Sequence, residues 1–365
     1  MPELPEVQRA VNLLRRIAKG RRIAKVAAVE DTIVFSGTTH TEFEKELEGR
    51  TVKDVARYGK VFYMELDGKG RMPVLHFGMT GMLQVKGQLA TYYKETPKKA
   101  STDWPPRFMK FNMHLHDPAT STTTEVAFLD ARRLGRVRLV AAPRAEPPIS
   151  ALGFDPLLSM PPLAAFAARV RARSCPAKAL LLDQGFSAGV GNWVADEVLY
   201  HARVHPERRC NTLSDDEIGA LHEQVQQVCR TAVEVDADDT KFPEDWLFKH
   251  RWGKGKKKQH SLLLPSGEPA TIKWVTVGGR TSAYVVELQK LSGSEENAGS
   301  TSRSRRRVKT SEADEKNDAE DEDESDLTPL EEETPKRETR KRKVAEVKPD
   351  KATTQKAKRT RSKKA

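Results

Sequence analysis

The chain opens Met1-Pro2-Glu3-Leu4-Pro5-Glu6-Val7, and Pro2 and Glu3 are its first candidates for chemistry. Removal of Met1 would leave Pro2 with a free secondary amine. An α-amino group titrates at about 8, far below a lysine side chain, so a useful fraction is unprotonated near neutral pH. Such an amine can attack an electrophilic carbon, a sugar C1′ for example, and leave an iminium, a covalent intermediate of the Schiff-base type. Departure of the leaving group and any later elimination need proton transfers, which the adjacent Glu3 carboxyl can supply. The same residues also suit a plain helix start: Pro5 fits the first turn and Glu6 the positive end of the helix dipole.

A reactive amine needs a rigid support. Apolar Val7, Val11, Leu14 and Ile17 recur at helical spacing, which predicts a helix ending at Lys19-Gly20, with Arg9, Arg15 and Arg16 on other faces. β-rich runs predict strands at 23–29, 51–58, 60–66, 72–77, 110–116, 126–130 and 136–140, with a short helix at 41–47. Two packed antiparallel sheets are the economical arrangement. Gln84 to Phe108 reads as an irregular, solvated insertion. A proline-rich linker follows, then helical patterns at 163–171, 177–183, 194–202 and 215–235. Ser214 and Glu217 form a capping box before the last helix. Two strands, 270–277 and 283–291, flank a turn from Gly278 to Ser282.

The predicted fold class is therefore α+β. Residues 2–140 form an antiparallel β-sandwich with flanking helices, 141–158 a hinge linker and 159–248 a helical domain. Residues 249–291 hold a basic loop and a β-hairpin, and 292–365 a tail. The tail has no Phe, Trp or Tyr and its charges alternate in blocks, so it is expected to be disordered. A net charge of +11 favours a polyanionic partner. No apolar run approaches the roughly 20 residues of a membrane span, and no secretory apolar region opens the chain. Cys175, Cys210 and Cys229 form no C-x-x-C pair, which argues against a disulfide framework or a four-cysteine zinc site. No metal and no cofactor are expected.

Further short motifs follow in order. Arg57-Tyr58-Gly59-Lys60 puts a lysine at the start of a strand. Leu75-His76-Phe77-Gly78-Met79-Thr80-Gly81 places two glycines in a strand–turn context, where backbones approach closely. Asp130-Ala131-Arg132-Arg133-Leu134-Gly135 and Leu152-Gly153-Phe154-Asp155-Pro156-Leu157 come next. Gly189-Val190-Gly191-Asn192 lies between two predicted helices, where backbone N–H groups and a helix N-terminus can approach a phosphate. Together with the opening heptapeptide, these segments resemble the formamidopyrimidine-DNA glycosylase/endonuclease VIII family of base-excision repair enzymes. The resemblance covers about residues 2–291.

The resemblance implies a bifunctional DNA glycosylase/AP lyase, a helix–two-turn–helix domain, and catalysis by Pro2, Glu3, Lys60 and Arg280 with β,δ-elimination. Lys60, Asn192 and Arg280 would hold phosphates flanking the lesion, with Lys178 supporting phosphate binding. Met79 would fill the void left by an everted nucleotide and Arg132 contact the opposite base. Leu134 stands where the family carries an aromatic wedge. Glu6 and His76 are counted among the DNA-binding residues. The family's zinc-ribbon cysteines are replaced by Tyr284-Val285-Val286, as in the metal-free hairpins of plant and fungal members, so Ile272, Trp274 and Val285 must hold the hairpin by apolar packing. Asp236 to Trp246 leaves no room for the loop that caps 8-oxoguanine in bacterial relatives. Ring-opened purines, hydantoins and abasic sites are therefore the expected substrates. An endonuclease VIII-like preference for oxidised pyrimidines, or a non-catalytic DNA or chromatin binder, are the alternatives. The expected partner is double-stranded damaged DNA, bound by a monomer. The basic tail clusters Lys341-Arg342-Lys343 and Lys356 to Lys364 suggest nuclear localisation, and the tail could bind protein partners.

Overall fold

A computed structural model of the chain describes residues 2–88, 103–252 and 262–291. The expected disorder of the tail and the basic loop at 253–261 lie outside the described residues. Helix α1 spans Leu4–Ala18, with Val7, Val11, Leu14 and Ala18 buried on one stripe. Strands β1 (Arg22–Ala28), β6 (Met109–His116), β7 (Thr123–Leu129) and β5 (Met82–Val85) form one antiparallel sheet in the order β1-β6-β7-β5. Strands β2 (Val52–Tyr58), β3 (Val61–Leu66), β4 (Met72–His76) and β8 (Arg136–Val140) form the second, in that order. Helix α2, His40–Leu47, lies between β1 and β2 in the chain.

Strand β5 departs from the sequence reading, which placed Gln84 in an irregular insertion. Residues 82–85 instead pair with Val126–Leu129 as an edge strand. A four-residue run gives little periodicity, and only its partner identifies it. The sheets are joined by rings from both. Phe62 of β3 packs on Phe77 with centroids 4.7 Å apart, and Phe77 stacks on Phe128 of β7 at 5.6 Å. Each such fully buried side chain contributes roughly 1.5–3 kcal/mol over exposure.

The helical part comprises α3 (Leu163–Arg171), α4 (Ala177–Leu182), α5 (Asn192–His201) and α6 (Asp215–Glu234). The Ser214 hydroxyl accepts from Glu217 N at 3.1 Å and the Glu217 carboxylate accepts from Ser214 N at 2.8 Å, closing the predicted capping box. Strands β9 (Ile272–Val277) and β10 (Arg280–Val285) form a hairpin. Its turn is shorter than the sequence suggested. Only Gly278 and Gly279 turn, both at positive φ, so Arg280 is the first residue of β10 and faces Val277.

One helix touches both cores. Leu4 belongs to the apolar cluster of Phe166, Trp193 and Val198, whereas Val7, Val11 and Leu14 belong to that of the two sheets. The segment read as a hinge is also docked. Asp155 accepts from Arg57 Nη1 at 2.5 Å and from Gly59 N at 2.7 Å, both side chains buried. Arg57 and Asp155 thus couple two of the sequence motifs to one another.

Candidate active site

Pro2 and Glu3 are buried where α1 meets α5. Leu4 N donates to Gly189 O at 3.0 Å, holding the start of α1 on the Gly189–Asn192 turn. Glu3 N donates to Glu6 Oε2 at 2.9 Å. The Glu3 carboxylate reaches across to α5, where Oε1 accepts from Trp193 N at 3.0 Å and Oε2 from Val194 N at 3.2 Å. A helix N-terminus favours an anion because its first N–H groups have no partner within the helix.

The protein's own Glu3 thus takes the N–H groups of Trp193 and Val194 at the α5 N-terminus. The glycines serve the same end. A Cβ on Gly191 would lie 2.3 Å from Glu3 Cδ. Gly189 has φ +100°, and a Cβ there would lie 2.8 Å from Leu4 Cβ. Asn192 is also engaged: its Nδ2 donates to Thr281 O at 3.1 Å, tying α5 to the hairpin, while its buried Oδ1 has no partner.

Glu6 turns inward, accepting from Trp193 Nε1 at 3.1 Å as well as from Glu3 N. Burial, reinforced by the Glu3 carboxylate, pushes its pKa up to about 7. A cleft of about 230 Å³ borders it, lined among others by Arg9, Asn12, Phe77, Met82 and Asp236. Asn12 Nδ2 donates to Asp236 Oδ1 at 2.8 Å across this cleft.

Lys60 is 7% exposed, and its ammonium has no hydrogen-bond acceptor among the described residues. Burial lowers its pKa against the opposing pull of Glu3 and Glu6, and Arg280 lowers it further. Arg280 itself is exposed. The structure therefore brings Pro2, Glu3, Lys60 and Arg280 into one neighbourhood, with Lys60 buried and Arg280 exposed. His76, at the end of β4, accepts from Gly78 N through Nδ1 at 3.0 Å. Burial and the charges of Lys60, Arg138 and Arg136 push its pKa down to about 4. It is a neutral imidazole whose proton sits on Nε2.

Lys178 is different. It is fully buried, bonded to Asp196 and donating to Asn192 O at 2.9 Å. Asp196 also accepts from Arg251 Nη2 at 2.7 Å, Ser282 Oγ at 2.8 Å and Ala283 N at 3.2 Å. Burial alone would raise the Asp196 carboxyl, but Lys178 and Arg251 hold it below the usual range. Lys178 therefore does not reach a surface phosphate. It anchors α4, α5 and the hairpin to one carboxylate. Asp196, the carboxylate at the centre of this network, was not singled out from the sequence. The hairpin is held by this network as well as by the apolar cluster of Tyr200, Leu247, Ile272, Ala283 and Val285, with Trp274 against it. Among the described residues, no group of three or more His, Cys, Asp or Glu could hold a metal ion.

Two loops face outward from the sandwich. Buried Asp130 accepts from Thr80 Oγ1 at 2.7 Å, Gly135 N at 2.6 Å and Arg132 N at 3.2 Å, so one carboxylate fixes both. Gly78 lies so close that a Cβ would be 2.3 Å from the Leu134 carbonyl carbon. Arg133, at φ 55°, forks onto Asp31 at 2.9 and 3.0 Å, and Lys110 joins at 2.9 Å. That anchor leaves Arg132 and Leu134 exposed on either side, with Met79 half-buried.

The formamidopyrimidine-DNA glycosylase N-terminal domain family matches residues 1–137, and the formamidopyrimidine-DNA glycosylase H2TH domain family matches 152–244. The formamidopyrimidine-DNA glycosylase of Arabidopsis thaliana is 39% identical over 86% of this chain and 77% of its own length. That of Roseiflexus sp. is 35% identical over 80% of this chain and 100% of its own length. Among solved structures, the Lactococcus lactis formamidopyrimidine-DNA glycosylase non-covalently bound to DNA containing an AP site superposes with a TM-score of 0.62, covering 79% of this chain and all of that one. At 22% identity, that likeness shows the fold. With both domain families matched in order and a plant relative aligned over most of both lengths, the chain belongs to the formamidopyrimidine-DNA glycosylase family.

Proposed function

We propose that this protein is a bifunctional DNA glycosylase/AP lyase of base-excision repair that acts on damaged double-stranded DNA through the amine of Pro2. Family membership carries the glycosylase activity and the AP lyase activity characteristic of the family. The observation that carries the mechanism is the burial of Pro2 and Glu3 against α5, beside an unpaired buried Lys60. A nucleophile held on a helix and locked by long-range bonds is pre-organised.

The lesion nucleotide leaves the stack, and the damaged base sits in the cleft beside Glu6. The Pro2 lone pair forms the bond to C1′ as the C1′–N bond breaks toward the base, which takes a proton. Glu3 moves the protons at the sugar. The ring oxygen opens, an iminium forms, and β- then δ-elimination expels the 3′ and 5′ phosphates and leaves a one-nucleotide gap. Hydrolysis frees Pro2. Lys60 and Arg280 hold the flanking phosphates, and their unpaired charge favours the developing anions. Met79, Arg132 and Leu134 occupy the gap in the stack. Ring-opened purines and hydantoins are the substrates the Asp236–Trp246 segment favours, and the basic tail clusters favour a nuclear enzyme.

Borohydride reduction on lesion-containing DNA tests the mechanism. The expected product is a covalent adduct mapped by peptide mass spectrometry to Pro2. An adduct that survives both Pro2→Gly and N-terminal blocking at full yield would overturn it. Excision of defined lesions separates a purine-derived preference from one for oxidised pyrimidines.

A further inference from the structure

Phe108 precedes β6 and is a phenylalanine with 40% of its surface exposed. Its φ is 64°, a left-handed conformation that a bulky side chain rarely adopts. Its carbonyl accepts from Asp130 N at 3.0 Å. Asp130 is the residue whose carboxylate fixes the Thr80 and Arg132–Gly135 loops. Phe108 is thus anchored at the same end of the sheet as Arg132 and Leu134. The Arg107 guanidinium carbon lies 4.6 Å from the Phe108 ring centroid, and Arg107 is exposed with no carboxylate partner among the described residues.

The Asp130 N bond repays the main chain, but the ring stays 40% exposed with the Arg107 guanidinium against it, which is the pattern of a side chain kept for a partner. The neighbouring gap-filling position is Leu134, 41% exposed, which offers no π-face. A duplex with one nucleotide everted presents unstacked bases, and any base can stack on an aromatic ring. A guanidinium beside the ring suits the phosphate next to such a base.

We infer that Phe108 is a second stacking residue of the DNA interface. It takes an unstacked base on the strand opposite the lesion, beside Leu134, while Arg107 reaches that strand's phosphates. This rests on the glycosylase reading above and adds a contact on the undamaged strand.

The test uses the full chain and a lesion duplex with 2-aminopurine in the complementary strand next to the base opposite the lesion. Binding of the wild type should quench the fluorescence through stacking on Phe108. Phe108→Asn, which suits the left-handed backbone, should lose that quenching, lower excision about ten-fold and raise the melting temperature. Phe108→Trp should restore both quenching and excision. Unchanged quenching and excision in Phe108→Asn would overturn the inference, as would a lowered melting temperature with normal quenching, which would make the ring a structural one. Absence of a borohydride adduct with wild-type protein on DNA carrying an abasic site would instead overturn the glycosylase reading itself.

Discussion

Lys60 and Lys178 are both buried lysines, and they do opposite things. Lys178 is 0% exposed and shares Asp196 with Arg251, Ser282 and Ala283. Lys60 is 7% exposed and bonds to no acceptor among the described residues, although Glu3 and Glu6 pull on it from nearby. A buried cation with a full set of partners is part of the scaffold, because removing it strands the opposing charge. A buried cation left without partners costs stability, and perturbed groups of that kind cluster at functional sites. Burial alone therefore does not separate structural from functional lysines; the partner set does.

The sharpest way to break this comparison is to delete each charge. Lys178→Met should cost about 3–5 kcal/mol in urea unfolding, since Asp196 would keep only Arg251 as counter-charge in a dry environment. A loss near zero would remove Lys178 from the scaffold. On the Lys60 side, Glu6 offers a pH-dependent version of the same test. Its folded pKa of about 7 exceeds the usual 4.5, so the native state binds a proton that the unfolded chain has released. Stability should fall as pH rises from about 4.5 to 7 and level off above, by about 3 kcal/mol at most. Glu6→Gln should flatten that slope in unfolding experiments at pH 5 and pH 8. An unchanged slope would mean that Glu6 is not the group responsible.

Lys60→Met should leave stability unchanged or slightly raised, yet slow excision by about 100-fold, the scale for losing one oriented charge-stabilising donor. If unfolding were instead as compromised as in Lys178→Met, the two lysines would belong to one class. The smallest effects are expected at the paired arginines. Arg133→Ala should lower the melting temperature slightly, because it frees one side of Asp31. Arg132→Ala should leave it unchanged and alter the rate ratio between substrates with different bases opposite the lesion.

Much of the scaffold was legible because its signals are local. The α1 stripe, the β-rich runs of both sheets, the Ser214–Glu217 capping box and the paired glycines before Arg280 each depend on residues within a turn or a hairpin. The motif order was sufficient to indicate the family, and Pro2, Glu3 and Lys60 were named from it. Readings that changed, such as strand β5 and the burial of Lys178 against Asp196, depended on partners outside the local run.

By itself the sequence determined most of the elements, their order and the residues able to do chemistry. Tertiary structure decided which of those residues are free. Glu3 meets Trp193 across 190 residues, Arg133 meets Asp31 across 102, and Arg251 meets Asp196 across 55. Spacing records helical and strand periodicity over a few residues, but a carboxylate that closes a loop of that length leaves no periodic trace. Whether a lysine or a helix N-terminus remains open to DNA is settled only when the folded chain has satisfied its own charges first.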